Sequence, residues 1–512
     1  MTVGNTGPGE LFIIGFNGTQ LDDSLKKYLN NIPSGGIILF SRNLVSFDQW
    51  RELASGLQEL RLKAGNLPYI IAVDEEGGTV SRMPDDNFIF PGARALSQTG
   101  NTNTARTCAN AIGQILSYTG SNLNLAPVLD VNINPMNPGI GIRSFGTTAE
   151  ETARYSTEFI EGLRSAGIFS CAKHFPGKGD IVKDSHKTLP ICSATKQELE
   201  NIHLKPFIEA IRHQIPFIMT SHAVYPALSN DNLPATLSHE ILTGLLRNKL
   251  GYNGLIISDD LEMGAMTECG EIHEIVYKSI MAGCDMVLIC HDAKKQETAY
   301  KFVLEKYSDD LPFRNRCDES IRRVTEFKQN LKMQNSLFPE KVKETIRLAA
   351  EKSMKCPKNE SLRIPLDENV KSGKILLAGT KFRSEIEVEM IGRTPYEITD
   401  FHNYLKKYIK NIDMVSWDIN PAEFCADKIR KINFDEYSLI ILCTNNAILY
   451  PNQKNIAETI LDNYGEKTIL MATKNPEDIY ISARAKNIVL TFGYNKANIE
   501  AAGDFIIRGN LS

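Results

Sequence analysis

Eight short apolar runs recur over the first two thirds of this 512-residue chain, each followed by a polar or glycine-rich turn and then a longer amphipathic stretch. They occupy 11–16, 36–40, 69–73, 123–129, 168–172, 217–220, 255–258 and 286–290. Runs of this length between turn signals read as strands, and the stretches between them carry helix starts. Thr148 with Glu151, and Thr195 with Glu198, have the spacing of capping boxes, in which a hydroxyl and a carboxylate satisfy free backbone donors. Strands joined by helical crossovers form either an open doubly wound sheet or a closed barrel. Eight consecutive units in about 330 residues favour the closed form, an α/β fold of the (β/α)8 TIM-like barrel type.

In such a barrel the active site lies at the C-terminal strand ends, so whatever follows each apolar run points at the chemistry. Here those positions are polar. Asp74, Glu75 and Glu76 follow the third run, Lys173 and His174 the fifth, Ser221 and His222 the sixth, and Asp259 and Asp260 the seventh. A purely structural barrel needs few such groups, because burying unpaired charges costs on the order of several kcal/mol each.

From 335 to 360 the pattern is helical and charged, as in a connecting segment. Apolar runs at 375–378, 439–443, 469–471 and 488–492, spaced by helix-like stretches, then read as a smaller open α/β sandwich. The expected division is a barrel over 1–334, a helical linker over 335–360 and a sandwich domain over 361–512. No phosphate-binding glycine motif opens a helix of the second domain, so no nucleotide site is expected there. A net charge of −5, without any block of Lys and Arg, offers no track for nucleic acid. The first ten residues lack the basic and apolar regions of a leader, and the run 11–16 is too short for a bilayer; the expected location is the cytoplasm, without a membrane partner. Ten scattered cysteines with no CxxC pair fit reduced thiols better than a disulfide framework or a zinc site. Oligomeric state has no signature in the sequence.

The segment 173–190, KHFPGKGDIVKDSHKTLP, reads as a loop, since two glycines and a proline in its first half exclude regular structure. Asp184 and His186 follow in it, two positions apart. A carboxylate at that spacing can fix the imidazole tautomer and raise its pKa, so that the ring donates and accepts a proton near neutrality. The same residues equally suit a turn whose Asp accepts backbone donors. Metal ligation is disfavoured, because no second His or Cys cluster shares the loop. The segment 254–263, GLIISDDLEM, brings two adjacent carboxylates to the barrel mouth, of which normally one looks along the axis. Such a carboxylate can attack an anomeric carbon while the dyad protonates the departing oxygen. Alone, an Asp-Asp pair also serves as a magnesium ligand or a helix cap.

The strings VDEEGG (73–78), GIRSFG (141–146), KHFPGKGD with DSH downstream, and SDDLEM (258–263) resemble the family 3 glycoside hydrolases in order and spacing. The KHFPG and DSH combination resembles specifically the β-N-acetylglucosaminidase branch, which includes the sugar-trimming enzymes of bacterial cell-wall recycling. The resemblance implies retaining hydrolysis of terminal β-linked N-acetylglucosamine from peptidoglycan fragments, with a small-molecule sugar as the partner and neither metal nor other cofactor. It assigns Asp259 as nucleophile, Asp184 and His186 as acid/base dyad, and Asp74, Arg82, Arg143, Lys173 and His174 as holders of sugar hydroxyls. His222, Asp260 and Glu262 are left structural support. The chain departs from the family pattern at Lys178, Glu75 and Thr79, where a second His, a Gln and an Arg are usual. None of these is a catalytic position, and they bear on the leaving-group side. Three alternatives stay open. A neutral His donor does not repel phosphate, so phosphorolysis could replace hydrolysis. A sugar-binding barrel without turnover is the second. A metal-dependent hydrolase or Schiff-base aldolase is the third, with Lys173 as its sole candidate residue.

Overall fold

The computed structural model describes residues 7–181, 189–331, 336–382, 396–422, 429 and 431–509. Every one of the eight apolar runs contributes a strand to one closed, parallel barrel, with neighbours in chain order. The strands are β1 (Phe12–Ile14), β2 (Gly36–Leu39), β3 (Ile70–Val73), β4 (Leu123–Asn124), β5 (Phe169–Phe175), β6 (Phe217–Thr220), β7 (Leu255–Asp260) and β8 (Met286–Ile289). The runs lack polar alternation because each strand feeds two cores. Ile13, Ile38, Ile70, Ala72, Met219 and Leu288 fill the barrel interior. Phe12, Ile14, Ile37, Ile71, Val73 and Val287 pack outward under the helices.

Three runs differ from their strands in an instructive way. The run 123–129 yields only two strand residues, because Pro127 has no N–H for the ladder. Looser pairing continues there, with Lys173 N–H donating to Pro127 O and Leu129 N–H to Lys173 O. β5 and β7 instead run beyond their apolar residues, through Lys173 and His174 and through Asp259 and Asp260. Thr195 and Glu198 close a full capping box. Thr148 caps Glu151 N–H, but the Glu151 carboxylate turns to Arg94 at 3.7 Å.

The barrel floor is closed by helix Leu311–Gln329, whose Phe327 ring packs edge-on against Phe169 and Phe217 at 4.7 and 4.9 Å. Beside it, Glu10 is clamped between Arg61 and Lys328, all three buried, with Lys328 Nζ 2.6 Å from Glu10 Oε2.

The stretch 335–360 carries helix Val342–Ser353 and then β9 (Lys355–Asn359). β9 pairs antiparallel with β14 at the edge of a six-stranded sheet. That sheet is otherwise parallel, in the order β11-β10-β12-β13-β14-β9. Its other strands are β10 (Ile375–Thr380), β11 (Ile412–Trp417), β12 (Leu439–Thr444), β13 (Thr468–Ala472) and β14 (Asn487–Leu490). Ile375, Leu377, Ile441, Met471 and Val489 face helices Ile398–Leu405 and Lys496–Arg508, while Leu376, Ile440, Leu442 and Leu470 face helix Pro451–Tyr464. Four of these strands follow the expected runs. The two edge strands do not, because an edge strand is half solvated: β9 reads KCPKN, and β11 is only partly covered at its four central residues.

Candidate active site

β7 delivers Asp259 to the mouth of the barrel, where it shares a cavity with Asp74, Phe40, Met219, Glu262 and Leu288. The carboxylate of its neighbour Asp260 accepts from Cys290 and Glu262 N–H and lies 3.2 Å from His291 Nε2. Both residues border the cavity, but the Asp260 carboxylate is taken up by these partners, which leaves Asp259 as the carboxylate the strand end offers. Burial pushes the Asp259 carboxyl up, but Lys178, His222, the Asp260 amide and Lys173 outweigh it, and the net shift is downward. The group is thus ionised at neutral pH, the state a nucleophile needs.

β3 and β5 build a charged cradle beside it. Lys173 Nζ lies 2.7 Å from Asp74 Oδ1 and 2.6 Å from Glu76 Oε1. Burial works against its charge, yet the two carboxylates raise its pKa overall. Arg143, on the turn Gly141–Arg143, grips Glu76 with two bonds of 2.8 and 2.7 Å and donates a third, of 2.7 Å, to Gly139 O. Arg82 is buried with Nη2 4.0 Å from Asp74 Oδ2. Asp74 is the most open of these groups, at 13% exposure, so its carboxylate is the one presented to the cavity.

Glu76 acts as the keystone of this cradle. Burial alone would raise its pKa; Arg143 and Lys173 overcome that and hold it at about 2, against an ordinary 4.5. A depressed folded pKa contributes stability that is complete above the unfolded value and is lost as pH falls through the folded one. Glu76→Gln is expected to cost on the order of 3 kcal/mol at pH 7, and distinctly less at pH 3. Urea titrations at the two pH values check this; equal losses at both would show that the ionised pair is not the source.

His174 donates from Nδ1 to Asp130 Oδ2 at 2.7 Å, which turns Nε2 toward Asp259 Oδ2 at 3.8 Å. Asp130 also accepts the Lys178 amide at 2.7 Å, tying the following loop to the end of β4. That loop is close-packed enough to demand glycine: a Cβ on Gly179 would sit 1.7 Å from Val131 O, and Gly177 has φ +115° against His203. Asp184 and His186 lie outside the described residues.

The described carboxylates that could replace the dyad as proton donor are already engaged. Glu75 accepts from Ser81 Oγ and Arg82 N–H, Glu76 is held ionised, and Glu262 accepts from the amides of His291 and Asp292. His222 is buried, bonded to Thr236 Oγ1 and Asp260 O, and burial lowers its pKa. Among the described residues no group of three or more His, Cys, Asp or Glu gathers to hold a metal ion. Likewise among them, no helix is long and apolar enough to cross a membrane. Sequence reasoning gave no role to Asp130 or Glu76. Asp130 directly follows the fourth apolar run, so the strand-end rule that singled out Asp259 could have found it.

An ionised carboxylate beside buried ion pairs at a barrel mouth suits displacement at the anomeric carbon of a sugar, the chemistry of a barrel enzyme that acts on glycosides. The chain belongs to glycosyl hydrolase family 3, whose N-terminal domain it matches over residues 8–327. A β-hexosaminidase of Idiomarina loihiensis is 35% identical over 284 residues, covering 55% of this chain and 83% of that enzyme. A β-hexosaminidase of Neisseria meningitidis serogroup C is 37% identical over 279 residues, 53% of this chain and 75% of the other. The second unit has its counterpart in a solved structure, a family 3 β-N-acetylglucosaminidase from Paenibacillus sp. FPU-7. It shares 31% identity and a TM-score of 0.89, covering 98% of this chain and 96% of that one.

Proposed function

We propose that this chain hydrolyses terminal, non-reducing β-linked N-acetylglucosamine with retention of configuration, acting on peptidoglycan fragments. The observation that carries this reading is the ionised Asp259 at the mouth of a family 3 barrel, beside the Asp74, Lys173, Glu76 and Arg143 cradle. The names of the β-hexosaminidase and β-N-acetylglucosaminidase relatives support the sugar. In the first step an Asp259 oxygen attacks C1, the bond from C1 to the leaving oxygen breaks, and protonated His186, oriented by Asp184, gives that oxygen its proton. In the second, water attacks C1, His186 takes its proton and Asp259 leaves as the carboxylate. Asp74, Arg82, Arg143, Lys173 and His174 hold the sugar hydroxyls. Catalysis is assigned to the barrel over 1–334; of the expected linker over 335–360, β9 belongs to the sheet of the sandwich over 361–512, which leaves helix Val342–Ser353 as the connection. A reducing cytoplasm is the proposed location, supported by nine described cysteines that are all free.

Proton NMR on a chromogenic N-acetylglucosaminide tests the reading. The β anomer of N-acetylglucosamine should accumulate first, because two inversions at C1 restore the starting configuration. Early α product would mean that water attacks directly and Asp259 is a base. A sugar 1-phosphate formed only with added phosphate would reassign the chain to phosphorolysis, and equal turnover of the plain glucoside would remove the N-acetyl preference. Release of N-acetylglucosamine from purified muropeptides checks the natural substrate.

A further inference from the structure

The carboxyl edge of the second sheet meets the barrel at Gly141 and Phe90, and it carries buried asparagines. Asn446 follows β12, Asn475 follows β13 and Asn495 follows β14, all at most 7% exposed. Asn446, in the left-handed region with φ +55°, accepts the Asn475 amide on its Oδ1 at 3.2 Å. This fixes Asn475 against the barrel turn Gly141–Arg143. A Cβ built on Gly141, whose φ is +45°, would lie 3.0 Å from Asn475 Oδ1. Asn495 makes the other contact. Its Nδ2 donates to Phe90 O at 3.3 Å, the same oxygen that accepts Gly78 N–H at 2.7 Å. Gly78 stands two residues after Glu76, in the turn where Glu76 N–H donates to Val80 O at 3.0 Å. Next along, Lys496 Nζ donates to Asn87 Oδ1 at 2.8 Å on the same loop.

One contact thus falls on the turn that carries Arg143, and the other on Phe90 O, which also holds Gly78 in the turn that carries Glu76, the partner of Arg143 in the pocket wall. Asn495 bonds a main-chain carbonyl, and Asn475 fills the space a side chain at position 141 would need, so both constrain where the backbone runs. Plain adhesion between domains needs only apolar area. Buried polar side chains at the carboxyl ends of an open parallel sheet stand where such sheets carry their functional loops.

We infer that Asn475 and Asn495 are positioning residues for the sugar pocket, and that the second unit sets the separation of Glu76 and Arg143 and so the grip on the bound sugar. The inference rests on the proposed role of that cradle in binding the sugar. Small displacements of binding groups are felt strongly in catalysis.

The test uses full-length Asn475→Ala, Asn495→Ala and Asn495→Asp. The aspartate can still cap helix Lys496–Arg508, where Asn495 Oδ1 now accepts Asn498 N–H, but it cannot donate to Phe90 O. Three quantities are read well below the melting temperature: kcat and KM on the chromogenic N-acetylglucosaminide, and hydrogen exchange of peptides spanning 75–83 and 137–144. Each variant should raise KM roughly tenfold with a smaller change in kcat, and exchange should speed in the turn it touches. Asn495→Asp should behave like Asn495→Ala. Unchanged exchange in those turns overturns the inference. So does faster exchange with unchanged KM, which would make the asparagines domain adhesion alone. A wild-type chain inactive on the substrate defeats the proposed function instead, and exchange then decides by itself whether the second unit holds the two turns.

Discussion

Asp259→Asn is expected to reduce turnover by at least ~10⁴-fold while leaving the fold and the melting temperature nearly unchanged. Asp259 accepts one local hydrogen bond, from the Asp260 amide, which an asparagine oxygen can also accept. Nothing else in the described mouth can take over the attack. Asp260 is bound to the β8 end, Asp74 is held by Lys173, and Glu76 is clamped by two cations. The comparison variant Asp260→Ala should lose less activity and more stability, because it frees the Cys290 and Glu262 amides. Circular dichroism, thermal melts and turnover measured on the same preparations check both halves. An active Asp259→Asn enzyme would remove the carboxylate from the mechanism.

The second large effect concerns the proton. His186→Ala should slow hydrolysis of glycosides with poor leaving groups by about 10²–10⁴-fold, the usual contribution of general acid catalysis. An activated phenol departs without a proton, so its glycosylation step should be nearly spared. Asp184→Asn should reproduce the pattern, because the amide can hold the ring in the wrong tautomer and cannot stabilise the imidazolium. The double variant should then be little worse than His186→Ala alone. Additive losses that ignore leaving-group pKa would make DSH a structural turn. The donor would then have to come from Glu75, Glu76 or Glu262, each of which has other engagements in the structure.

The barrel was legible because its strands are buried on both faces, which turns each into an unbroken apolar run such as 36–40 or 286–290. Edge strands give no such trace, so KCPKN and IDMVSW went unread. The position of Asp259 was legible for a similar reason: it caps an apolar run in a fold that keeps its chemistry at strand ends. The partners that set its charge were not. Lys178 comes from the loop after β5 and His222 from beyond the end of β6, and His174 faces Asp259 only because Asp130, 44 residues earlier, holds the other side of its ring. Such convergence depends on how strands register around a closed sheet, which local pattern does not encode. The asparagine contacts on Gly141 and Phe90 are further removed still, because they depend on how two separate sheets dock.

The clamp on the barrel floor sets a timetable for synthesis. Glu10 and Lys328 are 318 residues apart, and β1 finds its second neighbour only in β8. At about 5–20 residues per second, Glu10 leaves the ribosome on the order of tens of seconds before its partner exists. Until β8 is made, the nascent barrel is an open sheet with bare strand edges, a template for pairing with other chains. Any product that stops before β8 keeps those edges, and one that stops before helix Leu311–Gln329 leaves Glu10 with Arg61 alone. Premature termination before β8 is therefore expected to yield a species prone to association, even when Asp74, Glu76, Arg143 and Lys173 have all been made.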